Sequence, residues 1–300
     1  MLKKLTGKVR LILVFSFSYL LDFGECLAFR SKPQPTPYHD FDYFIFSQRW
    51  PLTTCAEWEA TKSGNTCNLP QDKHLWTIHG IWPTKTGQEG PLFCPSSIHF
   101  NPDELAPIIN DLTTYWVNVE ANTKLNSFWA HEWKKHGTCA SVLPLLDSVT
   151  NYFRMGLKWN RDYDIASILS KEGIEPGNSY DVATIYNAIK NSINKEPSIQ
   201  CVIDKETKES YISEIRICLD KNFQVIDCNP TNPIHRIRFG LNTNCSQKKQ
   251  VQYIASITPT SDTNYRTIEK EYIDYQGEYE GHMRYLSLYN FLWTLMWLTL

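Results

Sequence analysis

Two short segments of the chain concentrate side chains that can exchange protons. The first, residues 75–83, reads LWTIHGIWP and contains His79 and Trp82. The second, residues 128–139, reads FWAHEWKKHGTC. It supplies two imidazoles, a carboxylate and an amine, carried by His131, Glu132, Lys135 and His136. Side chains of these types are the ones that enzymes use for acid and base catalysis.

The second segment is predicted to be a helix over residues 128–137. At about 100° per residue, Lys135 and Glu132 lie about 40° and about 100° from His131. His136 lies about 140° from the same reference, so all four groups share one face. Lys135 there favours the ionised form of Glu132, and Glu132 favours a protonated His136. Perturbed groups of this kind are typical of active sites.

The spacing of the two helical histidines argues against a zinc protease. That class carries His-Glu-x-x-His, with histidines four residues apart and about 40° from one another on a helix. His131 and His136 are five residues apart and about 140° from one another, which is too divergent for one ion. We therefore expect no metal and no other cofactor.

Histidines on two separate segments suit the cleavage of RNA, which carries a 2′-hydroxyl next to each phosphodiester. One neutral imidazole can remove that proton while a protonated imidazole gives a proton to the leaving 5′-oxygen. The nucleophile belongs to the substrate, so no serine, cysteine or metal is needed. A cation must stabilise the charged phosphorane, and Lys135 is placed to do so.

Both segments resemble the two active-site signatures of the T-two ribonuclease family. These are the acid, base-non-specific ribonucleases that include the plant self-incompatibility ribonucleases. Residues 41–44 and 48–51 resemble the first strand of the family, and residues 197–201 and 214–218 resemble its later strands. The resemblance covers about residues 38–250.

The resemblance implies roles for His79 and for four residues of the second segment. His79 is the expected general acid and His136 the expected general base. His131 is expected to bind phosphate, while Glu132 and Lys135 stabilise the transition state. The implied products are a 2′,3′-cyclic phosphate and then a 3′-phosphate, formed from single-stranded RNA by a monomer with an acidic pH optimum.

Recognition of the base is assigned on weaker grounds. The resemblance makes Trp82 the expected base-stacking residue and Gln48 a second candidate in the same site. Thr84 stands where some fungal members carry an acidic residue that helps select adenine, so the base preference stays open. A rival interpretation is a binding or signalling module in which catalysis is incidental. Inactive members of the family would usually have lost one of the catalytic residues, and none is missing here.

Residues 1–28 are predicted to be a signal peptide. Four basic residues precede the apolar stretch 11–21, and cleavage is expected near residue 28, with Gly24 an alternative site. Eleven apolar residues are too few for an anchor, since a spanning helix needs about 20. Without residues 1–28 the chain has 26 basic and 30 acidic residues. That balance excludes a protein that coats nucleic acid and favours a secreted or endolysosomal enzyme with a small cleft.

The removal of Cys26 leaves eight cysteines, an even number that predicts four disulfides in an exported chain. Sequence alone allows 105 pairings of eight cysteines. The family resemblance implies the pairs Cys55–Cys67, Cys94–Cys139, Cys201–Cys245 and Cys218–Cys228. A glycosylation sequon begins at Asn244, and its middle residue is one of these cysteines.

Hydrophobic periodicity predicts an α+β domain with a mainly antiparallel central sheet flanked by helices. Residues 55–73 are predicted to be a loop. The predicted strands cover residues 41–50, 75–79, 199–203, 211–219, 234–241 and 250–257, and the predicted helices cover residues 105–125, 128–137, 143–157 and 181–193.

The predicted domain, residues 38–250, is followed by a C-terminal extension over residues 251–300. Its last part, residues 286–300, is strongly apolar but shorter than a spanning helix. Three interpretations remain open: a lipid-anchor signal that is removed, a tail anchor, or a terminal helix packed on the domain. The first two would attach the protein to a membrane.

Overall fold

One sheet of seven strands organises the part of the chain that the structure describes. That structure is a computed structural model, and it describes residues 39–87, 90–228 and 240–257. The strands are β1 Tyr43–Arg49, β2 Thr77–Thr84, β3 Asn178–Tyr180, β4 Ser198–Ile203, β5 Ser210–Asp220, β6 Val225–Ile226 and β7 Val251–Tyr253. Their order is β2-β1-β5-β7-β3, and β4 and β6 also pair with β5. All pairs are antiparallel except β5 with β7, which confirms the predicted sheet.

Helices pack against this sheet, as the α+β prediction requires. They are α1 Pro51–Thr61, α2 Ile109–Tyr115, α3 Ser127–Glu132, α4 Thr138–Ala140, α5 Val149–Asp162, α6 Ile165–Lys171 and α7 Val182–Ile193. The core lies between the sheet and α5. There Phe44 and Phe46 on β1 meet Trp159 with ring centroids 6.2 Å and 5.6 Å apart.

Helix α1 occupies part of the segment predicted to be a loop, so that prediction is wrong for residues 55–61. Pro51 begins the helix, where its fixed backbone angle is already helical and its missing amide hydrogen costs nothing. The helix is held on β5 because the Thr53 hydroxyl donates to the Ile212 carbonyl at 2.7 Å.

The predicted helix over residues 105–125 is wrong beyond residue 115, where α2 ends. The backbone that follows bonds to other parts of the molecule. The Val117 carbonyl accepts a hydrogen bond from Arg49 at 2.9 Å, and the Val119 carbonyl accepts one from the Asn68 amide at 2.8 Å. These carbonyls are therefore satisfied without a helical turn.

Strand β2 continues through Gly80 and Pro83 to Thr84, beyond the predicted end of the strand at residue 79. The continuation is possible because β2 lies at the end of the strand order, and an edge strand tolerates a proline without a ladder hydrogen bond. The periodicity also missed α6, β3 and β6, all of which are short. The strand predicted over residues 234–241 lies largely outside the described residues.

All four disulfides implied by the family resemblance are present: Cys55–Cys67, Cys94–Cys139, Cys201–Cys245 and Cys218–Cys228. The described residues fall within one unit of the chain, Pro37–Leu300. In the ranges that the structure describes, no helix combines the length and apolar character needed to cross a membrane. The predicted signal peptide and the apolar stretch 286–300 lie outside those ranges, and the domain boundaries stay predictions.

Candidate active site

A β-bulge sets the direction of the His79 side chain. Ser47 on β1 pairs with Gly80, while the next residue, Gln48, pairs with Ile78, so His79 is an extra residue in β2. Residues three apart in a regular strand point to opposite faces, and a bulge can re-aim a side chain beside an active site. The rings of His79 and Trp82 accordingly meet edge to face, with centroids 4.9 Å apart.

Gly80 lets the first segment, residues 75–83, approach the second, residues 128–139, closely. The reason is that glycine has no side chain to stand between them. A Cβ atom at this position would lie 2.1 Å from Glu132 Oε2 and 2.3 Å from Trp82 Nε1. Both distances are far below van der Waals contact. The space beside Gly80 is thus occupied by the carboxylate of Glu132 and the indole of Trp82.

The second segment is not a regular α-helix. Helix α3 passes into a π segment, Trp133–Gly137, before regular turns resume at α4. The Thr138 amide donates to the Trp133 carbonyl, five residues earlier. Because a π turn holds more residues than an α turn, a wheel drawn at a constant angle overstates the separation of His131 and His136. Such turns are frequent at functional sites.

The distances between donor atoms show where a metal ion could be held. Among the described residues, the group of three potential ligands whose donor atoms lie within 4.8 Å of one another is Cys55, Glu59 and Cys67. Two of these form a disulfide. The histidines of the two segments do not make such a group in the described ranges.

The helical segment is fixed to the rest of the domain on the side away from its titratable groups. The indoles of Trp129 and Trp133 are buried and donate to the carbonyls of Trp116 at 2.8 Å and Ile98 at 3.2 Å. At its end, the Cys94–Cys139 disulfide holds the chain three residues beyond His136. The position of the titratable groups is thus set by packing along the segment and by the disulfide at its end.

Glu132 is 2% exposed and lies at the centre of the cluster. Its Oε2 accepts a hydrogen bond from Trp82 Nε1 at 3.1 Å. Burial raises the pKa of Glu132, and the nearby charges of His79, Lys135 and Arg49 oppose that rise together with the Trp82 hydrogen bond. Burial outweighs these opposing effects, so the pKa of Glu132 lies above its ordinary value.

His136 is 5% exposed, and its ring lies 5.6 Å from the Trp82 ring, centroid to centroid. Burial lowers the pKa of His136 well below its ordinary value, and the positive charges of Lys135, His131 and His79 add to the effect. Its buried Nδ1 has no hydrogen-bond partner among the described residues. The surroundings of His136 therefore favour its neutral form, not the protonated form expected beside Glu132.

His131 lies half-buried on the preceding turn. Burial, followed by the charges of Lys135, His79 and Lys134, lowers the pKa of His131 to about 4. At mildly acidic pH its ring is therefore a neutral hydrogen-bonding group rather than a cation. The structure places it with Lys135 and His136, as the sequence predicted.

His79 has a partner that the sequence did not suggest. Its Nδ1 lies 2.5 Å from Oε1 of Glu214 on β5, 135 residues away in the chain. Burial raises the pKa of Glu214, but the charges of Arg216 and His79 and the hydrogen bonds from both more than offset it, and the pKa falls well below its ordinary value. Glu214 is therefore an ionised carboxylate beneath His79.

Gln48 is not brought to this cluster. Its side chain is 1% exposed and faces α5, where it donates to the Tyr163 carbonyl at 2.7 Å and accepts from Asn160 at 2.8 Å. Its neighbour Ser47 points to the other face of β1 and donates to Glu214 at 3.1 Å. Alternation along the strand separates the two side chains.

Arg49 is a further charged residue that the sequence did not single out. It is 8% exposed, its guanidinium carbon lies 4.4 Å above the centre of the Phe128 ring, and it donates to the Val117 carbonyl. Burial lowers the pKa of Arg49, while the charges of Glu132 and Glu214 raise it. The only sequence signal was a charge inside a strand of otherwise buried residues.

The side chains of Trp82 and Asn244 are both hydrogen-bonded within the domain. Trp82 is 8% exposed, so its ring presents little surface to a base, and its indole nitrogen is already bonded to Glu132. The Asn244 amide accepts from the Cys201 amide at 2.8 Å and donates to the Cys201 carbonyl at 3.0 Å. Glycosylation of Asn244 would compete with the second of these bonds and stays a prediction.

Comparisons with known proteins identify the family of the chain. A family model described as the Ribonuclease T2 family matches residues 41–228. The chain is 41% identical over 194 residues to ribonuclease Oy of Magallana gigas, covering 63% of this chain and 88% of that one. The solved structure of human RNase T2 is 34% identical with a TM-score of 0.57, covering 71% of this chain and 98% of that chain. That of RNase NT in complex with 5′-AMP is 26% identical with a TM-score of 0.58, covering 72% and 98%.

The sequence and the fold are thus those of a class of RNA-cleaving enzymes. The chain belongs to the ribonuclease T2 family and is an endoribonuclease. The family resemblance drawn from the two segments is confirmed.

Proposed function

We propose that the protein is a secreted or lysosomal endoribonuclease that cleaves single-stranded RNA with His136 as general base and His79 as general acid. The observation that carries the proposal is the contrast between the two imidazoles. His136 is buried, which favours its neutral form, whereas His79 is hydrogen-bonded to an ionised Glu214. Both rings lie against Trp82, at 5.6 Å and 4.9 Å.

In the first step, neutral His136 takes the proton of the 2′-hydroxyl, and the 2′-oxygen attacks phosphorus. The bond from phosphorus to the 5′-oxygen breaks while protonated His79 donates a proton to that oxygen. The product is a 2′,3′-cyclic phosphate. In the second step water replaces the leaving alcohol, the two histidines exchange roles, and a 3′-phosphate results.

The extra negative charge of the phosphorane is stabilised by groups fixed in advance. Lys135 supplies the cation, and Glu132 orients it across the cluster. His131, neutral above its pKa of about 4, serves as a hydrogen-bond donor to a phosphate oxygen. The mononucleotide 5′-AMP bound by RNase NT supports a nucleotide substrate for the same cleft.

Export is supported by the cysteines and by the expected signal peptide. Four disulfides within the described residues require an oxidising compartment. A chain of this kind meets RNA outside the cytosol, in the extracellular space or in lysosomes. The lowered pKa of His136 suits a base that works in the acidic conditions of a lysosome.

The test is to identify the products. The full-length chain is secreted from a eukaryotic host, purified with its disulfides intact and incubated with single-stranded RNA between pH 4 and pH 8 in EDTA. Mass spectrometry then reads the new 3′ ends. We expect 2′,3′-cyclic phosphates followed by 3′-phosphates, with a bell-shaped pH dependence.

Two variants provide the control. His79→Ala is expected to lose about 10²–10⁴-fold in rate, whereas His74→Ala, which changes an exposed histidine on the loop before β2, is expected to keep the wild-type rate. Products with 5′-phosphate ends, or cleavage that stops in EDTA, would contradict the proposed chemistry.

A further inference from the structure

Glu214 is held on β5 by hydrogen bonds to both of its oxygens. Oε1 accepts from His79 Nδ1 at 2.5 Å. Oε2 accepts from the Ser47 hydroxyl at 3.1 Å and from the Nε and Nη2 atoms of Arg216 at 2.8 Å and 2.6 Å. With partners on both oxygens the carboxylate has one orientation, and Oε1 is directed at the imidazole.

The charged groups around Glu214 come from four elements: His79 on β2, Arg216 on β5, Arg49 on β1 and Glu57 on α1. The two carboxyls respond to this setting in opposite ways. Burial, with the charge of Glu214, raises the pKa of Glu57 to about 7, while Arg216 and His79 hold the pKa of Glu214 low. The negative charge therefore resides on Glu214, next to the imidazole.

An ionised carboxylate only accepts hydrogen bonds. The atom of His79 that faces it must carry a hydrogen, which fixes the tautomer with the proton on Nδ1 and leaves Nε2 as the nitrogen that faces the substrate. When His79 gives its Nε2 proton to the 5′-oxygen, the N–H bond breaks and an O–H bond forms. The ring that remains is neutral and keeps its Nδ1 proton.

Arg216 connects this pair to the rest of the site. Its guanidinium carbon lies 5.2 Å from the centre of the Trp82 ring, and the Trp82 indole donates to Glu132. Glu214, Arg216 and Trp82 thus form one continuous support from His79 to the helical segment. Because Glu214 contacts His79 directly, displacement of Glu214 would affect the orientation of His79 more than that of the other catalytic groups.

We propose that Glu214, supported by Arg216, is the positioning residue that holds His79 with its proton on Nδ1 and its Nε2 directed at the leaving oxygen. The inference rests on the proposed function for its kinetic consequence. Its structural content, the tautomer of His79, can be tested separately. Loss of the carboxylate beside a catalytic imidazole can cost up to about 10⁴ in kcat when the wrong tautomer forms.

The kinetic test compares Glu214→Gln with Glu196→Gln in the full-length enzyme. Glu196 is a matched control because it also accepts hydrogen bonds from two side chains, Tyr186 and Lys190. Glu214→Gln should lower kcat about 10- to 100-fold and change KM less than about 3-fold. Glu196→Gln should leave both unchanged.

A double variant separates positioning from a general structural effect. If Glu214 acts through His79, adding Glu214→Gln to His79→Ala should cause no further loss of rate. An equal loss in both backgrounds would overturn the proposal, as would a Glu214→Gln enzyme with the wild-type rate.

The tautomer itself is measured by NMR of the ¹⁵N-histidine-labelled wild-type enzyme, with the His79 signals identified from His79→Ala. This readout needs neither a Glu214 variant that folds nor RNA cleavage, so it separates failure of this inference from failure of the proposed function. A neutral ring with hydrogen on Nδ1 supports the inference, and hydrogen on Nε2 overturns it.

Discussion

Replacement of Gly80 by alanine is expected to disable the enzyme without unfolding it. The added Cβ would lie 2.1 Å from Glu132 Oε2 and 2.3 Å from Trp82 Nε1. Both neighbours are buried, so neither can swing away into solvent. The overlap is relieved only if the carboxylate and the indole separate, which breaks the hydrogen bond between them.

The expected magnitude follows from that bond. A hydrogen bond to a charged group contributes about 1.5–3 kcal/mol, and each 1.36 kcal/mol lost from transition-state stabilisation costs about a factor of ten. Gly80→Ala should therefore lower kcat/KM about 10- to 150-fold. The assay is steady-state cleavage of a dinucleoside monophosphate at acidic pH, with urea unfolding to confirm that the variant is folded.

Gly64→Ala is the control for this substitution. Gly64 has a φ of +89° with open space around its missing Cβ, so alanine there strains the backbone but touches nothing. It should reduce stability by about 1–2 kcal/mol and leave kcat/KM unchanged. A folded Gly80→Ala enzyme whose kcat/KM stays within twofold of wild type would refute the claim that this contact positions Glu132.

Two further predictions concern stability. Because the folded-state pKa of Glu57 is raised from 4.5 to about 7, the folded state loses stability relative to the unfolded state as pH rises through that window. At pH 4.5, Glu57→Gln should therefore have the same free energy of unfolding as the wild type. At pH 8 it should be more stable than the wild type by about 2–3 kcal/mol. Urea titrations that gave the same stability difference at both pH values would contradict this. Replacing both Cys94 and Cys139 by alanine should cost about 2–5 kcal/mol and also reduce activity, because that disulfide ends the catalytic segment. Removal of the Cys55–Cys67 disulfide is the matched control and should reduce stability alone. If both variants lose activity equally at a temperature where both are folded, the Cys94–Cys139 disulfide has no special role in positioning the segment.

The sequence predicted the chemistry of the site better than its geometry. His79, Glu132, Lys135 and His136 were recognisable because titratable side chains recur within two short segments. Their relative directions were not, because the bulge at His79 and the π segment before Gly137 change the angle per residue. Neither the bulge nor the π segment changes the spacing of apolar residues along the chain. The sequence pattern therefore gives no sign of either.

Contacts made across the sheet could not be predicted from local pattern. Glu214 reaches His79 only because β5 and β2 both pair with β1, so no spacing in the sequence joins the two residues. Gln48 failed as a site residue for a related reason. Successive side chains along β1 point alternately to the cleft and to α5. Ser47 faces the cleft, where it donates to Glu214, so Gln48 faces α5.

The fold class and the disulfides could both be predicted, but for different reasons. Alternating and helical periods located the long elements, such as β5 and α7. The short ones, β3 and β6, owe their existence to pairing with other strands. The cysteine pairs came from the family resemblance, because eight cysteines allow 105 pairings by sequence alone.

The assignment of acid and base is tested most directly with a substrate whose leaving group needs no proton. Uridine 3′-(4-nitrophenyl phosphate) releases nitrophenolate, so its cleavage requires the base but not the acid. His79→Ala should cleave it at close to the wild-type rate while losing about 10²–10⁴-fold on a dinucleoside monophosphate. His136→Ala should be impaired on both substrates. Equal impairment of His79→Ala on both, or rescue of His136→Ala by the activated substrate, would contradict the account.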